Sequence, residues 1–83
     1  MTIEIRYKSS VYNDLKKIKM PSAGRIMDKI EDELGENPDK GIPLKGKFKG
    51  LFKYRVGDYR VVYVKGKNHI EILRIGHRRS IYK

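Results

Sequence analysis

The sequence predicts an α+β fold: an N-terminal strand, then an antiparallel helical hairpin packed on one face of a small, predominantly antiparallel β-sheet. Three observations predict it. Phe52 to Val64 alternates with period two on both sides of Gly57-Asp58, the pattern of a β-hairpin closed by a two-residue primed turn. Ile3, Ile5 and Tyr7 alternate with polar residues, as the buried face of a strand requires. Between these, apolar residues recur at helical spacing in two runs separated by Pro21.

Thr2 to Tyr7 is the first strand. Ser9 or Ser10 then caps a helix whose apolar stripe is Val11, Leu15 and Ile18, with Met20 extending it. Lys16, Lys17 and Lys19 fall near its C-terminus, where cations suit the helix dipole, and read as a solvated face. Pro21 disfavours helical geometry at Met20 and opens a second helix with the stripe Ala23, Ile26, Met27, Ile30 and Leu34. Gly35 is its natural terminator. Asp28, Glu31, Asp32 and Glu33 read as its outer, solvated face rather than as paired catalytic carboxylates, since no histidine accompanies them.

Residues 36–43 form a loop dense in turn formers. Leu44 to Gly50 continues it as a basic, glycine-punctuated stretch, with Leu44 and Phe48 expected to anchor it to the core. It lacks the spacing of a phosphate-binding P-loop. Its lysines, Lys45, Lys47 and Lys49, read as phosphate-backbone contacts. In the hairpin, Val56 faces Tyr59, Arg55 faces Arg60, Tyr54 faces Val61, Lys53 faces Val62 and Phe52 faces Tyr63. One face then carries Phe52, Tyr54, Val56, Tyr59, Val61 and Tyr63, a core face. The other carries Lys53, Arg55 and Arg60 beside Val62 and Val64. Like charges directly opposite in a sheet repel, so Arg55 against Arg60 asks for an anionic partner. A turn at residues 65–68 leads to a further strand from His69 to Ile75, and a short extended piece is expected to close the chain.

The 83 residues read as one domain. The formal net charge is +10, and its distribution says more than its size. Residues 1–42 hold eight Lys/Arg and eight Asp/Glu; residues 43–83 hold twelve Lys/Arg against Asp58 and Glu71. One-sided charge of this kind is the footprint of a polyanion binder. Nucleic acid is favoured over a membrane, because no basic amphipathic helix or lipidation signal is present. No apolar run reaches the length of a membrane span. The absence of cysteine fits a reducing cytoplasm and removes thiolate zinc sites and cysteine nucleophiles. Two histidines without a carboxylate cluster make a metal or other cofactor unexpected.

What remains is a metal-free cationic set: Lys53, Arg55, Arg60 and Arg78, with His77 and Tyr82 as neighbours in prospect. Such a set suits RNA cleavage, in which the 2′-hydroxyl attacks the adjacent phosphorus and cations stabilise the phosphorane. From the residues alone, plain RNA binding ranks above cleavage.

Residues 43–46 (Pro-Leu-Lys-Gly), 50–63 and 75–82 (Ile-Gly-His-Arg-Arg-Ser-Ile-Tyr) resemble the RelE/ParE toxin superfamily, and the order of elements before the hairpin matches it too. The resemblance implies one toxin domain over residues 1–83, a cognate antitoxin partner, and, on the RelE branch, ribosome-dependent cleavage of mRNA in the A site. It implies that Lys53 and Arg55 occupy the two basic positions of the first hairpin strand. Arg60 would bind the scissile phosphate and Arg78 support the leaving group. Tyr82 would stack on a base or transfer a proton. Arg55 stands where a lysine is common, and arginine is a poor general base because it stays protonated. The interval from Arg78 to Tyr82 is short, so the acid and base roles stay open, with His77 a candidate. The alternatives are a ParE-like inhibitor of DNA gyrase and a decayed toxin that only binds RNA or antitoxin.

Overall fold

In the computed structural model, residues 3–77 and Arg79 are described. The expected final extended piece, together with Arg78 and Tyr82, lies outside these residues. The chain runs β1 (Glu4–Tyr7), α1 (Ser9–Lys16), α2 (Ser22–Lys29), a π-helical turn (Ile30–Leu34), β2 (Ile42–Pro43), β3 (Leu51–Val56), β4 (Tyr59–Lys65) and β5 (His69–His77). Short 3₁₀ turns interrupt the connections at Pro38–Lys40 and Gly46–Phe48. The strands form one sheet in the order β1-β5-β4-β3-β2, with β1 parallel to β5 and every other pairing antiparallel.

The hairpin takes the register that its alternation predicts, from Val56 opposite Tyr59 to Phe52 opposite Tyr63. Gly57 supplies the positive φ of 59° that the turn needs. Val61, Tyr63, Ile70, Ile72 and Ile75 are buried on one side of the sheet. They pack with Val11 and Ile18 of the first helical segment and with Ile26, Ile30 and Leu34 of the second. The helical stripes thus cover the apolar face, leaving the cationic face outside.

Several local expectations are corrected. Neither serine caps α1: Lys8 holds the N-cap position without a side-chain bond, and the Ser10 hydroxyl donates to the Leu73 carbonyl at 2.8 Å. Met20 leaves the stripe and is 73% exposed, because α1 has already ended at Lys16. Leu44 and Phe48 are only half-buried and stand outside the core cluster. Glu33 is not a solvated outer carboxylate. It lies between Ile30 and Leu34 on the second helical segment and accepts a 2.6 Å hydrogen bond from the Tyr54 hydroxyl.

The fully buried Tyr63 pins the loop after the second helical segment. Its hydroxyl donates to the Pro38 carbonyl at 2.8 Å and accepts from the Gly41 N–H at 3.0 Å. A side chain at Gly41 would collide with this ring. Tyr63→Phe strips both partners at once, and each is left without a bond in a partly buried place. Chemical denaturation should show a loss of about 1–3 kcal/mol, the scale for leaving buried polar groups unpaired. A loss near zero would mean that the hydroxyl does not hold the loop.

Candidate functional site

Alternation places Lys53 and Arg55 of β3, and Arg60 and Val62 of β4, on the face turned away from the helices. Lys53 pairs with Val62 and Arg55 with Arg60. Lys53 and Arg60 are therefore diagonal neighbours, a relationship that sets them about 7–8 Å apart at the backbone, within reach of one ligand. Val62 is 6% exposed yet stands outside the core cluster, so this face has an apolar floor between its cations.

The two opposed arginines are handled differently. Arg55 is exposed, and its Nε donates to the Gly57 carbonyl at 3.1 Å, which commits it to the turn. Arg60 has no such outlet. Its residue is half-buried, and its Nη1 is shielded from solvent with no hydrogen-bond partner among the described residues. A desolvated donor on a permanent cation without an acceptor is costly. An anion on this face would supply the acceptor.

The third strand around the site departs from simple alternation. Val62 pairs with Arg74 and Tyr63 with Ile72, so Leu73 is an extra residue, a β-bulge. The bulge flips the phase of β5, letting both Ile72 and Ile75 face the core. It also places Gly76 opposite Arg60 and His77 opposite Tyr59. His77 consequently lies on the helix side, edge-on to the Tyr59 ring at 5.8 Å, with its Nδ1 accepting from the Arg79 N–H at 3.3 Å. Opposite Arg60, Gly76 puts no side chain on the sheet surface.

The structure brings Lys53 and Arg60 together, turns Arg55 toward the hairpin tip and puts His77 on the opposite side. Lys45, Lys47 and Lys49 are exposed on the connection from β2 to β3, at the far edge of the sheet from β5. They form a separate basic strip; Lys47 lies over the Phe48 ring, 5.4 Å from its centroid. Arg78 and Tyr82, expected at the site, lie outside the described residues. Among the described residues, no group of three His, Asp or Glu side chains could hold a metal ion. Among these residues, no helix is long and apolar enough to cross a membrane.

On the helix side, a cleft of about 460 Å³ runs between α2 and the hairpin, lined among others by Arg25, Lys29, Glu33, Tyr54 and Tyr59. Glu33 organises it, taking Lys29 at 3.1 Å, the Tyr54 hydroxyl, and Lys40. Those bonds, Lys40 first, draw the Glu33 carboxyl down to about 2. Tyr54 moves the opposite way, raised by burial and then by the adjacent carboxylate. The sequence reading missed this network, and it missed Asp14, a buried carboxylate on α1. The signal for Asp14 was present: it falls three residues after Val11 and four before Ile18, on the apolar stripe.

Residues 5–82 match the family model described as the ParE toxin of the type II toxin–antitoxin system parDE. Toxin RelE of Mycobacterium tuberculosis is 34% identical over 73 residues, covering 84% of this chain and 75% of that one. In the crystal structure of the RelBE2 toxin–antitoxin complex from M. tuberculosis, a chain 26% identical superposes with a TM-score of 0.89, covering 94% of this chain and all (100%) of that one. The archaeal RelE–RelB complex from Pyrococcus horikoshii contributes a chain 28% identical with a TM-score of 0.75, covering 96% and 99%.

The Glu33 network has a defined pH signature. A carboxyl held below its ordinary value of 4.5 stabilises the fold above that value, and the contribution is lost as pH falls toward about 2. Glu33→Gln should therefore be less stable than wild type at pH 7. The gap should narrow below pH 4.5 and close near pH 2, as read by urea unfolding across that range. A gap independent of pH would show that the charge of Glu33 contributes nothing.

Proposed function

This chain belongs to the RelE/ParE family of type II toxin–antitoxin toxins, and we propose that it cleaves mRNA on the ribosome at a phosphate held by the outer face of its sheet. Arg60 carries the reading. A half-buried guanidinium whose desolvated Nη1 has no partner among the described residues, diagonal to Lys53 and across from Gly76, is a cationic site suited to an oxyanion. Its value is greatest where charge grows, because a phosphorane carries more negative charge than the diester it forms from.

In this mechanism the 2′-hydroxyl loses its proton and attacks the adjacent phosphorus. The bond to the 5′-oxygen breaks, and that oxygen takes up a proton. The products are a 2′,3′-cyclic phosphate and a 5′-hydroxyl. The nucleophile is internal to the RNA, so the reaction needs no metal-activated water. Arg60 stabilises the phosphorane, and Lys53 adds charge from the diagonal position. Arg55 contributes to the field from the turn. Arg78 supports the leaving oxygen, and Tyr82 stacks on a base or transfers a proton. His77 faces the helices beside Tyr59, on the side of the sheet away from Arg60. The strip Lys45, Lys47 and Lys49 holds ribosomal RNA through its phosphates. A cognate antitoxin with an acidic segment covers the basic face, and both proteins act in the cytoplasm.

The family model carries the name of ParE, which favours inhibition of DNA gyrase as the second reading. The RelE-named relative at 34% identity favours cleavage. The two readings separate in one assay. Purified protein on programmed ribosomes should cut mRNA, and Arg60→Ala should lower the single-turnover rate by roughly 10²-fold or more, the scale of losing one preorganised stabiliser. Ribosome affinity should change far less, since many cations share that task. Wild-type rates from the folded variant would refute the role of Arg60. No cutting by wild type, with trapped gyrase–DNA breaks instead, would replace cleavage by gyrase inhibition.

A further inference from the structure

Past Ile72, β5 outruns its neighbour. Strand β1 pairs with β5 only from Glu4–His69 to Tyr7–Ile72, and the Lys8 N–H adds one last bond to the Ile72 carbonyl at 2.9 Å. Beyond that point no strand among the described residues lies beside the edge of β5, and its backbone groups need other partners. Helix α1 supplies them. Ser10 and Asp14 are four residues apart and share one face of the helix. Ser10 donates to the Leu73 carbonyl at 2.8 Å, and Asp14 Oδ2 accepts the Ile75 N–H at 2.9 Å. Asp14 also binds Arg74 through both oxygens, at 2.9 Å to Nε and 3.2 Å to Nη2.

These bonds bracket the bulge at Leu73. A bulge can migrate along a strand unless something holds it, and a one-residue slip moves every later side chain to the other face. Here a slip would remove Gly76 from its place opposite Arg60 and bring a larger neighbour there. Asp14 is an expensive way to gain stability alone, since its side chain is only 7% exposed. Arg74 keeps about half of its side chain in solvent, so the pair's charge adds little stability, and an apolar residue would serve the core on this stripe as well. Its geometry serves register instead.

We infer that Asp14 is a positioning residue for the proposed phosphate site, acting through β5 to hold Gly76 opposite Arg60. The inference rests on the cleavage reading for its activity readout, and has a structural readout that does not.

The test is a double-mutant cycle on programmed ribosomes, with thermal melts fixing a temperature at which every variant is folded. Asp14→Ala should lower the single-turnover rate on the order of 10²-fold, the cost of a misplacement near 1 Å, with ribosome affinity within about twofold. Asp14→Asn keeps an acceptor for the Ile75 N–H and should recover most of the rate; Asp14→Leu, which fills the apolar stripe but accepts nothing, should lose it as alanine does and carries the test if the alanine variant does not fold. Because the effect runs through the Arg60 site, Asp14→Ala with Arg60→Ala should cut hardly more slowly than Arg60→Ala alone. Wild-type rates in folded Asp14→Ala, or losses that simply multiply in the double variant, would overturn the inference. If wild type cuts nothing, the cleavage reading falls by itself, and NMR decides the positioning claim. The cross-strand contact between Arg60 and Gly76 should then be lost or shifted in Asp14→Ala, or in Asp14→Leu should alanine not fold, and kept in Asp14→Asn; an unchanged contact in the folded alanine or leucine variant overturns it.

Discussion

The register of β4 against its two neighbours is the constraint on which the rest of the structure depends. Strand β4 is central and must satisfy two demands with one alternation. Val61 and Tyr63 close the core beneath the helices, while Arg60 and Val62 face outward. A slip of one residue would bury Arg60 and expose Tyr63, so the hydrophobic effect on one face locks the cations on the other. The charge on the outer face costs stability, because Arg55 and Arg60 oppose each other. The core offsets that cost, leaving a cationic surface available to a ligand.

The second demand is made on β5, which must meet the same register while changing phase. The bulge at Leu73 allows Ile72 and Ile75 to face the core although three residues separate them. Helix α1 then bonds the backbone of β5 past its pairing with β1, through Ser10 and Asp14. Core, edge and outer face are thus one problem solved by one set of residues. The helix that covers the sheet also holds the end of the strand flanking Arg60.

Much of this was legible in the sequence because it follows from periodicity. The hairpin register, the two helical stripes and the face carrying Lys53, Arg55 and Arg60 all follow from spacing alone. What escaped was side-chain chemistry that competes with local rules. Ser9 and Ser10 look like caps, but a carbonyl 63 residues away took the Ser10 hydroxyl. Glu33 looks like one more surface acid in an acidic run, and only the fold brings Tyr54 to it. Met20 fits the stripe by spacing, but the helix ends before reaching it. The bulge is invisible to any fixed period, and with it the change of side at His77. An aspartate on an apolar stripe was the one clue to a long-range partner that spacing did provide.

The central claim is that the outer face stabilises a phosphorane formed by the RNA's own 2′-hydroxyl. The most direct measurement uses an mRNA carrying a single 2′-deoxynucleotide on the 5′ side of the cut position, programmed into ribosomes with the wild-type protein. Cleavage at that bond should disappear, while an all-ribose control is cut to a 2′,3′-cyclic phosphate and a 5′-hydroxyl. Cutting of the deoxy-substituted bond at the control rate would contradict the account.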